Sequence, residues 1–192
     1  MKYDIEKLID ILVIFARRNQ ELTKLRINKL LYFIDKCHLQ KYGRFVLNDR
    51  YYRLPLGPIP SLTLNIINDF FLPRFKISGK KIGTGRLAEF FEPDKDSKGY
   101  DILKLKKEVN FGSLSESELD VINYVLDSYG KRATSTLVNI SHRDRAWRST
   151  TEPNEIDYDL FLDELPEEKK NLVRDLMKMD AENDLINAVL NK

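Results

Sequence analysis

The chain has 192 residues, 42% of them hydrophobic and 32% charged, with a formal net charge of +2, so it can bury one sizeable core and carries no nucleic-acid footprint spread over its whole surface. Charge is nonetheless polarised along the sequence, with net +9 over residues 1–110, zero over 111–150 and −7 over 151–192. The lone Cys37 excludes an intramolecular disulfide, the N-terminus does not read as a secretory signal, and no apolar run approaches the roughly 18 residues of a membrane span, which together predict a cytoplasmic protein without membrane contact.

Asp4 is a candidate N-cap for a helix carrying Ile5, Leu8, Ile9, Leu12, Val13, Phe15 and Ala16, and Arg17-Arg18 suit its negative end. Thr23 opens a second helix with Ile27, Leu30, Leu31, Ile34 and His38 on one stripe and Arg26, Lys29, Lys36 and Gln40 elsewhere, and Gly43 provides its stop. Tyr51 to Leu54 reads as extended, and Pro55, Gly57, Pro58 and Pro60 exclude a helix there, with the chain reversal expected at Gly57-Pro58. A helix follows from Pro60 through Phe71, ended by Pro73. Short strands are predicted at Phe75–Ser78, Arg86–Glu92 and Tyr100–Lys106, with turns at Gly79-Lys80-Lys81 and Asp94–Gly99. Ser115 and Glu118 form a capping box ahead of a helix ended by Gly130. Shorter helices are predicted at Thr134–Ser141 and Asp144–Ser149, and a last amphipathic helix from Pro166 through Val189. The expected fold is mainly α (α+β): one helical domain over residues 1–150, a small antiparallel β insertion at about 75–109, and an acidic helical extension over 151–192.

Residues capable of chemistry are sparse. Cys37 and His38 are neighbours on a helix, where adjacent side chains diverge by about 100°, and no local motif links Cys37 to His142. Spacings for zinc are absent, so neither a metal nor a cofactor is expected, and the protein is not read as an enzyme. Gly83-Thr84-Gly85-Arg86-Leu87-Ala88 matches a dinucleotide-binding pattern in letters, but its context reads as a hairpin turn. A basic cluster, Lys131, Arg132, Arg143, Arg145 and Arg148, surrounds Trp147 and could contact phosphates in a helix-turn-helix, the alternative function being a DNA-binding regulator.

Lys29-Leu30-Leu31-Tyr32-Phe33-Ile34-Asp35 with His38, then Tyr52-Arg53 leading into Gly57-Pro58-Ile59-Pro60, then the capping-box helix with Leu137, Ser141-His142 and Trp147, resemble in order the signatures of the Panacea (SocA-like) antitoxin domain, shared with phage-associated GepA-like proteins. Where that family often has Trp before the Gly-Pro turn, this chain offers Tyr51, Tyr52 and Leu54. The resemblance implies an antitoxin that binds a cognate toxin protein, directly neutralising it or presenting it to a protease, and it implies no cofactor. Physically the motif reads as architecture, with Leu30, Leu31 and Ile34 as a core stripe. Residues 151–192 lie beyond the resemblance. Their 12 acids against 5 bases, with an apolar stripe from Leu172 to Val189, nominate Leu172, Leu176, Ile186, Glu167 and Glu168 as partner-binding residues suited to the basic groove of a nucleic-acid-directed toxin, the alternative being that the stripe packs back onto the helical core.

Overall fold

The computed structural model describes residues 3–18, 20–72, 84–107 and 112–190. Among these the chain forms eight α-helices, one 3-10 helix and two separate two-stranded antiparallel sheets, a mainly α protein with small β elements.

The first two helices start where their caps predict. The Asp4 carboxylate accepts from the Glu6 and Lys7 amides to open α1 (Ile5–Arg17), which buries Leu8, Ile9, Leu12, Val13 and Phe15. The Thr23 hydroxyl accepts from the Arg26 amide to open α2 (Lys24–Tyr42), and Gly43, at φ 72°, ends it in the left-handed conformation. Helix α2 departs from the amphipathic reading in one respect that organises the whole molecule. It is buried on nearly every side, and Arg26, Lys29, Asp35, Lys36 and His38 are as enclosed as Leu30, Leu31 and Ile34.

Strand β1 (Tyr51–Leu54) pairs with β2 (Gly57–Pro60), from Tyr51 opposite Pro60 to Leu54 opposite Gly57. The reversal therefore falls at Pro55-Leu56, two residues before the expected Gly57-Pro58, and leaves Gly57 as a strand residue at φ 96°. Helix α3 (Ser61–Phe71) follows. Its N-cap, Pro60, has no polar side chain, so the buried Asp49 carboxylate takes that role from a distance, accepting from the Leu62 and Thr63 amides at 2.9 and 2.8 Å.

In the β insertion, the strand expected at Phe75–Ser78 and the turn at Gly79-Lys80-Lys81 lie outside the described residues. The strand expected at Arg86–Glu92 is corrected: Thr84–Phe90 is helix α4, and β3 occupies Phe91–Lys95. The local spacing explains the difference. Leu87 and Phe90, three apart, are both buried, while Arg86 pairs with Glu89 three positions on and lies over the Phe90 ring four positions on. Gly85 to Ala88 consequently sit inside a helix rather than in a hairpin turn. Strand β4 (Asp101–Leu105) falls within the strand expected at Tyr100–Lys106 and pairs with β3, from Phe91 opposite Leu105 to Lys95 opposite Asp101, so that Asp94 and Lys95 extend β3 into the expected turn. A bridge from Thr23 to Ile102 anchors this sheet at the start of α2.

Helix α5 (Glu116–Tyr129) begins with the predicted capping box, the Ser115 amide donating to Glu118 at 2.8 Å. Helices α6 (Thr134–Arg143) and α7 (Arg145–Ser149) follow, then the 3-10 helix Tyr158–Leu162 and finally α8 (Glu167–Leu190). The 3-10 helix was not legible beforehand, yet its Phe161 and Leu162 are fully buried and, with Ile156 and Val173, join the same hydrophobic cluster as α1, α2 and α5. Phe161 packs edge-on against Tyr32 and Tyr51, at ring separations of 5.5 and 6.2 Å.

The seat of α8 on α2 depends on Gly43. A Cβ there would stand 2.5 Å from the Leu176 Cβ, on a backbone that already disfavours side chains. Gly43→Ala is therefore expected to lower the unfolding free energy by about 2–4 kcal/mol, combining left-handed strain with displacement of α8. Gly99→Ala, at φ 84° with open space around it, should cost only the backbone strain of about 1 kcal/mol. Urea unfolding of the two variants checks the difference, and equal losses would remove α8 from the account.

Candidate functional site

The three sequence signatures, far apart in the chain, converge on one junction. Lys29 of α2 extends its Nζ to donate to the Pro58 carbonyl of β2 at 2.7 Å. Gly57 lies so close that a Cβ would stand 2.5 Å from Ser141 Oγ and 2.8 Å from Lys29 Nζ, so only glycine lets the hairpin reach both α2 and α6. His142, next along α6, stacks on Trp147 of α7 at 4.2 Å and 15°. The Arg53 guanidinium lies over the Trp147 ring at 4.4 Å, and the indole Nε1 donates to the Leu54 carbonyl at 3.3 Å. Arg53 also donates to the Thr150 carbonyl. Residues of β1, β2, α2, α6 and α7 are thus bonded to one another, while Arg53 Nε and His142 Nε2 are buried without a hydrogen-bond partner among the described residues.

A second set of buried polar groups lies further along α2. The Asp35 carboxylate accepts from the Val46 and Leu47 amides at 2.8 and 3.3 Å and from the Tyr51 hydroxyl at 2.7 Å. Burial pushes its pKa up to about 6 against the pull of those three donors. Lys36 donates to Asp144 at 2.6 Å and to Glu164 at 2.8 Å, while Asp144 also caps α7 through the Ala146 amide. Burial, and next the nearby Asp144 carboxylate, raise Tyr32 well above the ordinary tyrosine value. The role of Asp144 was missed in the sequence, although an aspartate just ahead of a short helix is a local cap signal.

These placements bear on chemistry. Burial raises the Cys37 thiol, which lowers its thiolate fraction. His38 bonds through Nδ1 to the Arg44 carbonyl at 2.8 Å, and burial lowers its pKa, as it does for His142 beside Lys29 and Arg53. Among the described residues no group of His, Cys, Asp or Glu side chains is arranged to hold a metal ion, and no helix is long and apolar enough to cross a membrane.

All five residues of the basic cluster, Lys131, Arg132, Arg143, Arg145 and Arg148, are exposed. Arg145 is held by Asp163 at 2.9 Å, and Arg132 donates its Nε to the Ser128 carbonyl. Helix α7 has five residues, fewer than two turns, where a recognition helix would have to present its side chains along a groove. On α8, the nominated Leu172, Ile186 and Glu168 are exposed. Leu176 is half-buried against Gly43, and Glu167 is engaged by Lys170 and Arg174 at 3.4 and 3.5 Å.

Residues 27–148, from the first turn of α2 to α7, match the family model described as antitoxin SocA-like, Panacea domain. The chain belongs to this SocA-like antitoxin family. No curated protein and no solved structure is similar enough to the chain to count as a match. The Panacea-domain span contains all three signatures and the junction they form. Helix α1, the 3-10 helix and α8 lie outside it yet contribute Leu8, Phe15, Phe161 and Val173 to the same core.

Burial lowers the Lys29 pKa from 10.5 to about 7. Between those values the unfolded chain binds a proton that the folded Panacea domain does not, so this lysine makes stability rise with pH above 7. The expected contribution is on the order of 1 kcal/mol per pH unit between pH 7 and 9. Lys29→Met should remove that increment, as read from urea unfolding of both proteins across this range. A slope unchanged by the substitution would contradict a buried, readily deprotonated Lys29.

Proposed function

We propose that this Panacea-domain protein is the antitoxin of a type II toxin–antitoxin pair and neutralises its toxin by direct protein–protein binding, without catalysis. Family membership over residues 27–148 is the observation that carries the reading. The geometry is consistent with it. The signature residues Lys29, Gly57, Pro58, His142 and Trp147 pack against each other, and a protein whose motif is internal acts on a partner through the surface that motif holds in shape. The poorly ionised Cys37 thiol and the His38 ring tied to a backbone carbonyl add no nucleophile or base.

Binding and delivery to a protease make different predictions about the toxin itself. A toxin held in a complex persists at full level while its activity is lost; a toxin handed to a protease disappears. The experiment is inducible expression of the neighbouring gene's product, alone and with this protein, followed by growth and toxin abundance. The expected outcome is growth arrest alone, rescue on co-expression, undiminished toxin, and a co-purifying complex that survives 0.5 M salt. DNA contact through phosphates would instead weaken steeply over that salt range. Absence of rescue would refute the reading, and rescue with loss of toxin would replace direct neutralisation by delivery to a protease.

A further inference from the structure

Helix α8 has two unlike halves. Val173 is buried, and Leu176 and Met177 are half-buried, where the first half meets α2 and Gly43. Three of its four basic residues are already engaged in its own chain: Arg174 holds Asp159 at 2.8 Å, Lys170 holds Glu167 at 3.4 Å, and Lys178 lies 3.6 Å from Asp175. The second half presents apolar side chains to solvent, with Met179, Ile186 and Leu190 59%, 55% and 76% exposed. Leu172, on the same line, is 59% exposed.

These residues are not scattered. Leu172, Leu176, Met179, Asn183, Ile186 and Leu190 follow one another at alternating steps of four and three, the spacing that places side chains on one seam facing a second helix. Asn183 is the single polar member, the position at which such seams fix their register. Acids flank the middle of the seam on both sides, while Val173 and Asn187 on one side and Val189 on the other are uncharged. Asp175 and Glu182 each precede a seam residue by one, Glu168 continues that row a heptad earlier, and Asp180 follows Met179 on the other side. From Met179 to Leu190 the sequence has three acids and no lysine or arginine.

That arrangement selects among occupants. Two parallel copies of the seam would set Asp175 of one against Asp180 of the other. Antiparallel copies would set each acidic row against itself. Both pairings repel, and such flanking charges are what decides partner choice in helix pairs. We propose that the exposed seam of α8 docks a helix of a different protein, one whose own apolar stripe is flanked by lysine or arginine. Under the antitoxin reading that helix belongs to the toxin; the partner's identity rests on that reading, while its chemistry rests on the seam alone.

The test uses the full-length protein and two synthetic four-heptad peptides with the same leucine and isoleucine seam, one flanked by lysine and the other by glutamate. Fluorescence anisotropy at 50 mM salt should show the lysine peptide bound at least tenfold more tightly than the glutamate peptide. A Met179→Ser, Ile186→Ser, Leu190→Ser variant changes only exposed positions. It should melt like the parent and lose at least tenfold in affinity. Reversing Asp175, Asp180 and Glu182 to lysine should invert the peptide preference. Equal affinity for both peptides, or binding of neither, would overturn the proposal. Self-association of the parent that the serine variant abolishes would also overturn it, assigning the seam to a second copy. The serine variant also separates this inference from the antitoxin reading. If parent and variant rescue growth equally, the seam is not the toxin contact and the antitoxin reading stands. If neither the parent nor the variant rescues while the peptide preference holds, the seam stands and the antitoxin reading fails.

Discussion

A helix enclosed on nearly every side, yet carrying Arg26, Lys29, Asp35 and Lys36, sets a requirement that the remainder of the chain has to meet. Each of those groups would cost several kcal/mol if buried without partners. Each finds them in a segment remote in sequence. Arg26 donates to the Gly130 and Arg132 carbonyls beyond α5, Lys29 to Pro58, Asp35 accepts from Val46, Leu47 and Tyr51, and Lys36 bridges Asp144 and Glu164. The apolar residues of α2 supply hydrophobic stabilisation that any compact arrangement would also collect. The polar ones accept only this arrangement, because a shift of the β1–β2 hairpin or of the α6–α7 pair would leave a buried charge unsatisfied.

This division between apolar bulk and polar address accounts for the character of the family signature. Lys29, Asp35, Gly57, Pro58, His142 and Trp147 define where α2, the hairpin and α6–α7 meet, so the signature describes a scaffold. Under the proposed function, recognition of a partner falls to surfaces that the scaffold positions, and the exposed half of α8, proposed as one of them, lies outside the family span. The charge polarity of the chain fits this division, since the acidic residues 151–192 include the 3-10 helix that closes the core and the helix that leaves it.

What the sequence made legible was local. Asp4, Thr23, Gly43 and the Ser115–Glu118 box mark helix ends through contacts a few residues away, and each marks the right place. What it concealed depends on long-range partners. Arg26, Lys29 and Lys36 look like a solvent-facing side of α2 because a helical wheel shows charge and cannot show the carbonyls and carboxylates that arrive from residues 58 to 164. Arg86–Glu92 resembled a strand because Leu87 and Phe90 are few and apolar, and the deciding Arg86–Glu89 and Arg86–Phe90 contacts are side-chain events. The 3-10 helix is five residues of mixed character whose burial is set by Tyr32 and Tyr51. For the candidate site, the sequence named residues that meet at the junction, but it could not tell whether the α8 stripe packs on the core: Leu176 seats α8 on Gly43, while Leu172 and Ile186 are exposed.

The proposed function has this protein act by shape and surface, with its histidines and cysteine in structural roles. The most direct measurement is toxin neutralisation by Cys37→Ala, His38→Gln and His142→Gln variants, each scored together with its melting temperature and its toxin affinity. The account predicts that every variant neutralises in proportion to the fraction that is folded and bound. A variant that melts and binds like the parent yet fails to neutralise would contradict it.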